Sequence, residues 1–462
     1  MVHQFTIDDT NIVLDVYSGA VHEVDDMTRD LIEALGQKPT QKEIPADILD
    51  VLSAKYPKEE LIEAYADILE LTEDGLLFSD DMYAEYAKNW HKNSVVKAMC
   101  LHIAHDCNLR CKYCFAGTGN YEGQRGLMSL EVGKKAIDFV IKNSGNRHNI
   151  EIDFFGGEPL LNFDVVKGIV AYAREEEKKY NKNFRFTITT NGILLDEAKK
   201  EFINEHMVNI VLSLDGRKEV NDRMRQRIDG SGTYDSIVGK FQDMAESRGQ
   251  DNYYVRGTFT HHNLDFAEDV LHFADLGFKQ VSVEPVVAES SEDYALREED
   301  VDKIYSEYEK LAVEYVKRRK EGKGFNFFHF MIDLEGGPCV AKRLSGCGSG
   351  HEYIAVTPDG DIYPCHQFVG DESMKMGNVF EGTMDEKIKT MFETSNVYTK
   401  PACSDCFAKF YCSGGCPANA YKYCGDINTP LEMSCKLQRK RVECALYCAV
   451  KFQQMKEETE NN

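Results

Sequence analysis

The stretch HDCNLRCKYCFAG, residues 105–117, places three cysteines within eight residues. Cys107, Cys111 and Cys114 are separated by three and then two residues, with basic and aromatic side chains between them. A structural zinc site normally closes with four ligands, whereas an ordinary [4Fe–4S] cluster that is held by only three cysteines keeps one iron open. The spacing therefore predicts an iron–sulfur cluster with a free coordination position.

The segment that surrounds this stretch, from about Val95 to Pro285, alternates between strand-like and helix-like runs. Such alternation predicts parallel strands joined by right-handed crossovers, and six units fall short of the eight of a closed barrel. We therefore predict an α/β fold with a partial (β/α)6 TIM-like barrel. Ligands of such folds collect at the C-terminal ends of the strands. The polar motifs HDCNLRC, GGEP, TTNG and SLDG follow the first four predicted strands at that edge.

Composition narrows the classes of function. The chain has 462 residues and a formal net charge of −24, which argues against a nucleic-acid groove. Neither a signal peptide nor an apolar run long enough to span a membrane is apparent, so we expect a cytoplasmic protein. Disulfides are rare in that compartment, and 11 of the 15 cysteines fall between Cys339 and Cys448. This clustering indicates metal or redox chemistry.

The motif CNLRCKYC, with Tyr113 at its aromatic position, resembles that of the radical SAM enzymes. In that family three cysteines hold a [4Fe–4S] cluster, and its open iron is chelated by S-adenosylmethionine. The resemblance implies reductive cleavage of S-adenosylmethionine and hydrogen abstraction from an unactivated carbon. It also implies an external electron donor of the flavodoxin or ferredoxin type.

Further residues match positions that contact S-adenosylmethionine in this family. Gly156, Gly157 and Glu158 resemble the GGEP motif, in which the glutamate is implied to contact the methionine amino group. The other matched positions are Thr189, Thr190, Asn191, Ser213, Asp215 and Arg225. The arginine is implied to lie near the carboxylate, and the remainder are implied to line the pocket.

The cysteine pattern after residue 339 resembles the SPASM domain of peptide- and protein-modifying radical SAM enzymes. That resemblance implies two auxiliary [4Fe–4S] clusters, and so three clusters in all. The outer cluster is implied to bind Cys403, Cys406, Cys412 and Cys435, and the inner cluster Cys347, Cys365 and Cys416. The inner set lacks a fourth ligand, which either Cys339 or a substrate thiolate would supply. Cys100, Cys444 and Cys448 are expected to be buried as small apolar residues.

The first 90 residues hold 21 acidic and 6 basic side chains, and they predict short strands followed by helices. This unit is either a solvated acidic surface or, by resemblance, a winged-helix-like domain that binds the leader of a ribosomally made peptide. Together with the C-terminal region it most resembles the maturases of SCIFF peptides, which are short and cysteine-rich. The implied reaction is a thioether bond between a cysteine sulfur and the α-carbon of an acceptor such as threonine.

These interpretations divide the chain into a leader-recognition domain (residues 1–90), a radical SAM partial barrel (91–325), a SPASM domain (326–450) and a polar tail (451–462). Alternatives stay open. Within the same family, the chain could be a sulfatase-type maturase that oxidises a protein cysteine or serine to formylglycine, although the N-terminal unit argues against this. It also fits an iron–sulfur electron-transfer protein or a zinc scaffold, for which His102 or His105 would complete the first site.

Overall fold

The computed structural model describes residues 1–88, 94–121, 123, 125–334 and 339–460. Its strands are β1 Val2–Ile7, β2 Thr10–Asp15, β3 Val21–Val24, β4 Ala98–His105, β5 Leu109–Cys111, β6 Gly126–Leu127, β7 Asn149–Gly156, β8 Asn183–Thr190, β9 Met207–Ser213, β10 Arg225–Arg227, β11 Tyr253–Phe259, β12 Gln280–Pro285, β13 Asn326–Phe327, β14 Tyr353–Val356, β15 Asp361–Tyr363 and β16 Gly377–Asn378. Its α-helices are α1 Asp26–Leu35, α2 Ala46–Leu52, α3 Lys58–Glu73, α4 Tyr83–Lys88, α5 Leu130–Asn143, α6 Phe163–Tyr180, α7 Glu197–His206, α8 Lys218–Met224, α9 Tyr234–Ser247, α10 Phe266–Asp275, α11 Val301–Lys320, α12 Val340–Ser345, α13 Glu386–Glu393, α14 Lys409–Cys412, α15 Pro417–Cys424 and α16 Glu432–Glu460.

The central sheet contains the six predicted parallel strands, in the order β4-β7-β8-β9-β11-β12. Their residues alternate between two faces because successive side chains of a strand point in opposite directions. In β7, for example, Ile150, Ile152 and Phe154 are fully buried in the main hydrophobic core, whereas Asp153 and Phe155 lie on the opposite face. The α/β class and the partial (β/α)6 barrel are thus confirmed.

The sheet stays open and continues past both predicted ends. β13 pairs in parallel with β12, and on the other side β14 pairs in parallel with β4, with Tyr353 opposite Ala98. β15 and β16 then add antiparallel strands. The turn between β14 and β15 contains Gly360, which adopts φ +86°. A hairpin of the cysteine-rich region therefore closes directly onto the first barrel strand.

The N-terminal unit has a three-stranded antiparallel sheet in the order β1-β2-β3, and the helices α1 to α3 cover it. Asp25 caps α1 by accepting a hydrogen bond from the Thr28 amide at 2.7 Å, and Gly36 ends the helix in the left-handed region. The sheet packs against the cysteine-rich region, where the ring of His3 stacks on Phe407 with 3.5 Å between centroids.

The last helix, α16, spans 29 residues and packs along α11 of the barrel. It runs without a break past residue 450, where the sequence analysis placed a domain boundary. No helix of the described residues combines the length and the apolar character that crossing a membrane requires.

Candidate active site and auxiliary cysteine groups

The loop with the three cysteines leaves the C-terminal end of β4 and is fastened by backbone pairing. Its short strand β5 pairs antiparallel with β10, so that Cys111 lies opposite Arg225. The Lys112 amide donates to the Met224 carbonyl at 3.0 Å, and the Cys114 amide donates to the Cys111 carbonyl at 3.2 Å. The loop is thereby held across the top of the barrel.

All three thiols are neighbours, and burial raises their pKa. The pKa of Cys107 is raised to about 12 and that of Cys111 to about 11, mainly by burial. Arg225 opposes the rise at Cys111 and at Cys114. Thiols in such a site become thiolates when they bind a metal, because ligation removes the proton.

Two glycines allow β7 to end directly against this loop. A Cβ on Gly157 would lie 2.1 Å from the Asp106 carbonyl oxygen, and one on Gly156, whose φ is +117°, would lie 2.4 Å from the Ala104 carbonyl oxygen. The amide of Gly157 donates to Ala104 at 2.7 Å, and that of Glu158 donates to Asp106 at 2.9 Å. The Gly-Gly pair is therefore required for close contact between the ends of two strands.

The Glu158 carboxylate is almost completely buried, with 1% of the residue exposed. It accepts hydrogen bonds from the Thr190 hydroxyl at 2.8 Å, the Asn191 amide at 2.8 Å and the Leu160 amide at 3.0 Å. These bonds join the end of β7 to the end of β8. In this structure Glu158 positions the neighbouring loops, while its contact with a methionine amino group stays a prediction.

Tyr113, Asp215 and Arg225 form a buried triad below the cysteine loop. The Tyr113 hydroxyl lies 2.7 and 2.8 Å from the two Asp215 carboxylate oxygens, and Arg225 donates to that hydroxyl at 2.7 Å. Burial raises the pKa of Asp215 to about 6, although Arg225 and Tyr113 act to lower it. The triad ties the loop to the ends of β9 and β10.

The remaining predicted pocket residues lie at the same edge of the sheet. Thr190 and Asn191 are buried at the end of β8, whereas Thr189 and Ser213 are partly exposed. The Asn191 side chain donates to the Asn108 side chain at 2.8 Å and lies 3.7 Å from the Cys107 sulfur. The structure thus brings the residues of all four predicted motifs to one edge.

Several polar atoms around the loop are buried without a hydrogen-bond partner among the described residues. They include Arg225 Nε, Asn108 Nδ2 and His102 Nε2. Buried polar atoms of this kind are costly unless a ligand or water satisfies them. Unpaired polar atoms beside three clustered thiols suit a polar cofactor that carries a carboxylate, so the residues present fit S-adenosylmethionine on a cluster.

The auxiliary cysteines fall into two groups. The outer group contains the four predicted members, Cys403, Cys406, Cys412 and Cys435. Burial raises the pKa of Cys403 to about 11 and that of Cys435 to about 12, and the nearby Cys412 thiol raises each further. Cys435 reaches this group from the first turn of α16.

The inner group contains Cys347, Cys365 and Cys416. Burial raises the pKa of Cys365, to which Cys416 and Cys347 add, and burial together with Cys347 raises that of Cys416. Cys416 turns away from Cys412 because Ser413, Gly414 and Gly415 all adopt positive φ, of +60°, +88° and +76°. Two glycines make this left-handed run accessible. It accounts physically for the crossed distribution of Cys416 and Cys435 between the groups.

The remaining cysteines differ in exposure. Cys339 is exposed at the start of α12, and Cys424 is exposed at the end of α15. Cys100, Cys444 and Cys448 are buried, as predicted. Whether Cys339 joins the inner group stays open.

No three His, Cys, Asp or Glu side chains of the described residues converge closely enough to hold one metal ion. A zinc site needs its ligands about 2.0–2.3 Å from a single centre.

Sequence reasoning missed a charged group on the inner face of the barrel. Glu284 of β12 is 3.5 Å from His329, 3.0 Å from Arg441 and 3.6 Å from Arg256, and these three partners outweigh burial and lower its pKa to about 2. His366, directly after Cys365, packs against the rings of Phe155 and Phe115. The alternation of side chains along β11 and β12 is the only sequence signal that could have indicated Arg256 and Glu284. Arg441 had no such signal, because it comes from a helix that is distant in sequence.

Comparison with known proteins agrees with this arrangement. Residues 101–274 match the Radical SAM superfamily, and residues 347–407 match SPASM, an iron–sulfur cluster-binding domain. An uncharacterized protein of Methanocaldococcus jannaschii is 32% identical over 189 residues, which cover 40% of this chain and 62% of that protein. This chain therefore matches less than two thirds of the length of that relative. A cysteine-type anaerobic sulfatase-maturating enzyme of Clostridium novyi is 26% identical over 337 residues, covering 68% of this chain and 86% of the enzyme.

Solved structures show the same fold. Native anSMEcpe with bound AdoMet superimposes with a TM-score of 0.62 at 21% identity and covers 77% of this chain and 99% of its own. Streptococcus suis SuiB bound to S-adenosylmethionine has a TM-score of 0.53 at 16% identity and covers 94% and 98%. SuiB has also been solved with its precursor peptide SuiA.

The barrel therefore carries a region of the Radical SAM superfamily, and the cysteine-rich region carries a SPASM domain. The chain is similar to an anaerobic sulfatase-maturating enzyme over 68% of its length, and it shares its fold with SuiB.

Proposed function

We propose that this chain is a peptide maturase of the SCIFF type. It forms an intramolecular thioether between a cysteine sulfur and the α-carbon of an acceptor residue, such as threonine, in a cysteine-rich precursor peptide. The product gains one C–S bond and loses one hydrogen from each partner, which is a two-electron oxidation. It would be balanced by reduction of one S-adenosylmethionine to methionine and 5′-deoxyadenosine, which takes up both electrons and one proton, while the second proton goes to solvent. We assign S-adenosylmethionine, three [4Fe–4S] clusters and an external flavodoxin- or ferredoxin-type donor to this reaction.

The observation that carries the proposal is the N-terminal unit. Its sheet has β1 and β3 as outer strands, and an extended peptide can add to such an edge by backbone hydrogen bonds. His3 fixes the unit to the cysteine-rich region by stacking on Phe407 and by pairing with Glu443 at 2.9 Å. The SuiB structures, one with a precursor peptide bound, cover 93–94% of this chain, whereas anSMEcpe covers 77%.

The residues of the first site hold and orient the cofactors. Cys107, Cys111 and Cys114 would bind the first cluster, and Arg225, whose Nε has no partner among the described residues, would offer a cation to the carboxylate of the cofactor. When bound there, S-adenosylmethionine supplies hydrogen abstraction from an unactivated carbon. Glu158 and the Gly156–Gly157 pair keep the strand ends in contact, so that the loops hold one geometry.

The inner cysteine group is one place where the substrate sulfur could bind. With Cys347, Cys365 and Cys416 as its ligands, one position is left for either Cys339 or a substrate thiolate. A substrate sulfur bound there would be held as a thiolate beside the barrel interior. His366, next to Cys365, connects this group to the inner face through its contact with Phe155.

Formylglycine formation is a second candidate, because the Clostridium novyi relative is a sulfatase-maturating enzyme that matches over 86% of its length. Both reactions use the same first site, and they differ in the substrate and in the fate of the sulfur.

The deciding experiment uses oxygen-free, reconstituted full-length protein with S-adenosylmethionine, a reductant and one of two peptides. One is a short cysteine-rich peptide that contains a threonine acceptor, and the other is a sulfatase-derived peptide. Mass spectrometry should show loss of two hydrogens and of one alkylatable thiol in the first peptide. Conversion of the sulfatase peptide to an aldehyde, with the first peptide unchanged, would reject the thioether proposal in favour of the alternative.

A further inference from the structure

Two lysines near the auxiliary cysteines are almost fully buried. Lys400 and Lys409 are each 3% exposed. Lysine is rarely buried to this extent unless its charge is paired, because removal of an ammonium from water costs several kcal/mol. Each of these lysines therefore needs a partner that accounts for its burial.

Lys409 has such partners. Its ammonium lies over the rings of Tyr17, Tyr398 and Phe410, at 4.7, 5.3 and 5.3 Å. Asp81 of the N-terminal unit is 4.0 Å away. Aromatic faces and a carboxylate together compensate the charge, so Lys409 is explained by contacts within the chain.

Lys400 has no comparable partner. Its ammonium donates to the Gly414 carbonyl at 2.9 Å, and no carboxylate of the described residues lies within 4.0 Å of it. A single neutral hydrogen bond does not offset the cost of burying a charge. The charge is therefore left uncompensated by the described protein groups.

The position of Lys400 indicates what compensates it. A Cβ on Gly414 would lie 3.2–3.4 Å from the end of the Lys400 side chain, so the ammonium rests on the left-handed turn between Cys412 and Cys416. That turn is where the chain passes from the outer to the inner group. Burial lowers the pKa of Lys400, whereas thiols of both groups act to raise it.

We propose that Lys400 is a shared counter-ion of the two auxiliary clusters and raises the reduction potential of both. The inference rests on the proposed function, since it requires the clusters. A cluster with thiolate ligands is anionic, and each reduction adds a negative charge. A buried cation between the groups stabilises the reduced form of each through a low dielectric. Lys409 borders only the outer group, and Asp81 offsets its charge, so its effect on potential is smaller.

The test is a redox titration, followed by electron paramagnetic resonance, of reconstituted full-length protein. Lys400→Met should lower the reduction potential of both auxiliary clusters by at least about 59 mV, which is a tenfold change in a one-electron equilibrium. The first cluster should be unchanged, and Lys400→Arg should keep the wild-type potentials. Lys409→Met is the matched control, and it should shift the outer couple alone, and by less.

The wild-type spectrum separates the two proposals. If wild-type protein lacks auxiliary cluster signals, the proposed function fails. If it has them and Lys400→Met leaves both potentials unchanged, the counter-ion inference is overturned. If Lys400→Met does not assemble the clusters, the iron content of the two variants decides. Assembly in Lys400→Arg supports a requirement for a positive charge. Failure of both variants overturns the inference, because packing then explains the burial of Lys400.

Discussion

The Tyr113 hydroxyl lies within 2.8 Å of both carboxylate oxygens of Asp215 and accepts a hydrogen bond from Arg225 at 2.7 Å. Tyr113 belongs to the cysteine loop, and Asp215 follows the fourth barrel strand. A single phenol thus connects the cluster-binding loop to the sheet, and it bridges Arg225 and Asp215, which also form an ion pair at 3.7 Å.

Replacement of this phenol should destabilise the protein. In Tyr113→Phe, the buried Asp215 carboxylate loses one donor and keeps the Thr258 amide at 3.2 Å, and the loss of a donor to a buried carboxylate costs about 1–3 kcal/mol. The free energy of unfolding, measured with urea on cluster-free protein, should fall by that amount. Tyr172→Phe is the control, because its bond to Asp138 at 2.7 Å lies between helices near the surface and should cost less than about 0.5 kcal/mol. Equal losses in the two variants would contradict the role assigned to Tyr113.

A side chain at Gly157 should disrupt the first cluster selectively. The Cβ of Gly157→Ala would meet the Asp106 carbonyl oxygen at 2.1 Å, so the end of β7 must move away from the cysteine loop. We expect reconstituted iron to fall by about four atoms per chain from about twelve. Gly239→Ala is the control, since a Cβ there meets nothing within 4 Å. It should keep all of the iron and stabilise α9 by about 0.5–1 kcal/mol. Full iron content in Gly157→Ala would show that the loop tolerates the shift.

The barrel was predictable because its signals are local. Strands such as Asn183–Thr190 are rich in β-branched and aromatic residues, and their alternation with helices limits the topology to parallel units. The motif residues then had to meet, since the C-terminal ends of parallel strands share one edge. That argument needs no side-chain detail.

Long-range pairing escaped prediction. Nothing in residues 353–356 indicates that β14 would add in parallel to β4, more than 200 positions earlier. The Glu284–Arg441 pair and the burial of Lys400 also depend on elements that are distant in sequence. Charge in the sequence normally indicates exposure, and these residues are exceptions because their partners arrive only with the tertiary fold.

Asp153 should make stability depend on pH. Burial, together with Glu151, raises its pKa from 3.8 to about 7. A carboxyl whose pKa is raised on folding favours the folded state below the pKa of the unfolded chain, and this contribution is lost as the pH rises from about 4 to about 7. Asp153→Asn should therefore match the wild type near pH 4 and be more stable than the wild type at pH 8, by about 1–4 kcal/mol. Urea unfolding at both pH values measures this difference.

The exposed Glu175 of α6 offers a control, because Glu175→Gln should change stability by less than about 0.5 kcal/mol at either pH. A gain in Asp153→Asn that is the same at pH 4 and pH 8 would mean that the carboxyl is not the titrating group.

The crossed cysteine groups give the sharpest test of the cluster assignment. If Cys416 belongs with Cys365, then Cys416→Ala and Cys365→Ala should remove the same auxiliary signal in electron paramagnetic resonance. Cys412→Ala and Cys435→Ala should remove the other, and each variant should lose about four irons. Cys111→Ala should keep both auxiliary signals and abolish cleavage of S-adenosylmethionine.

The control for this series is Cys424→Ala, because Cys424 is exposed and belongs to neither group. It should retain about twelve irons and all three signals. If Cys412→Ala and Cys416→Ala removed the same signal, each cluster would instead be bound by cysteines that follow one another along the chain. The left-handed run Ser413–Gly415 would then not separate them. Because the run turns Cys416 away from Cys412, we expect the two variants to affect different clusters.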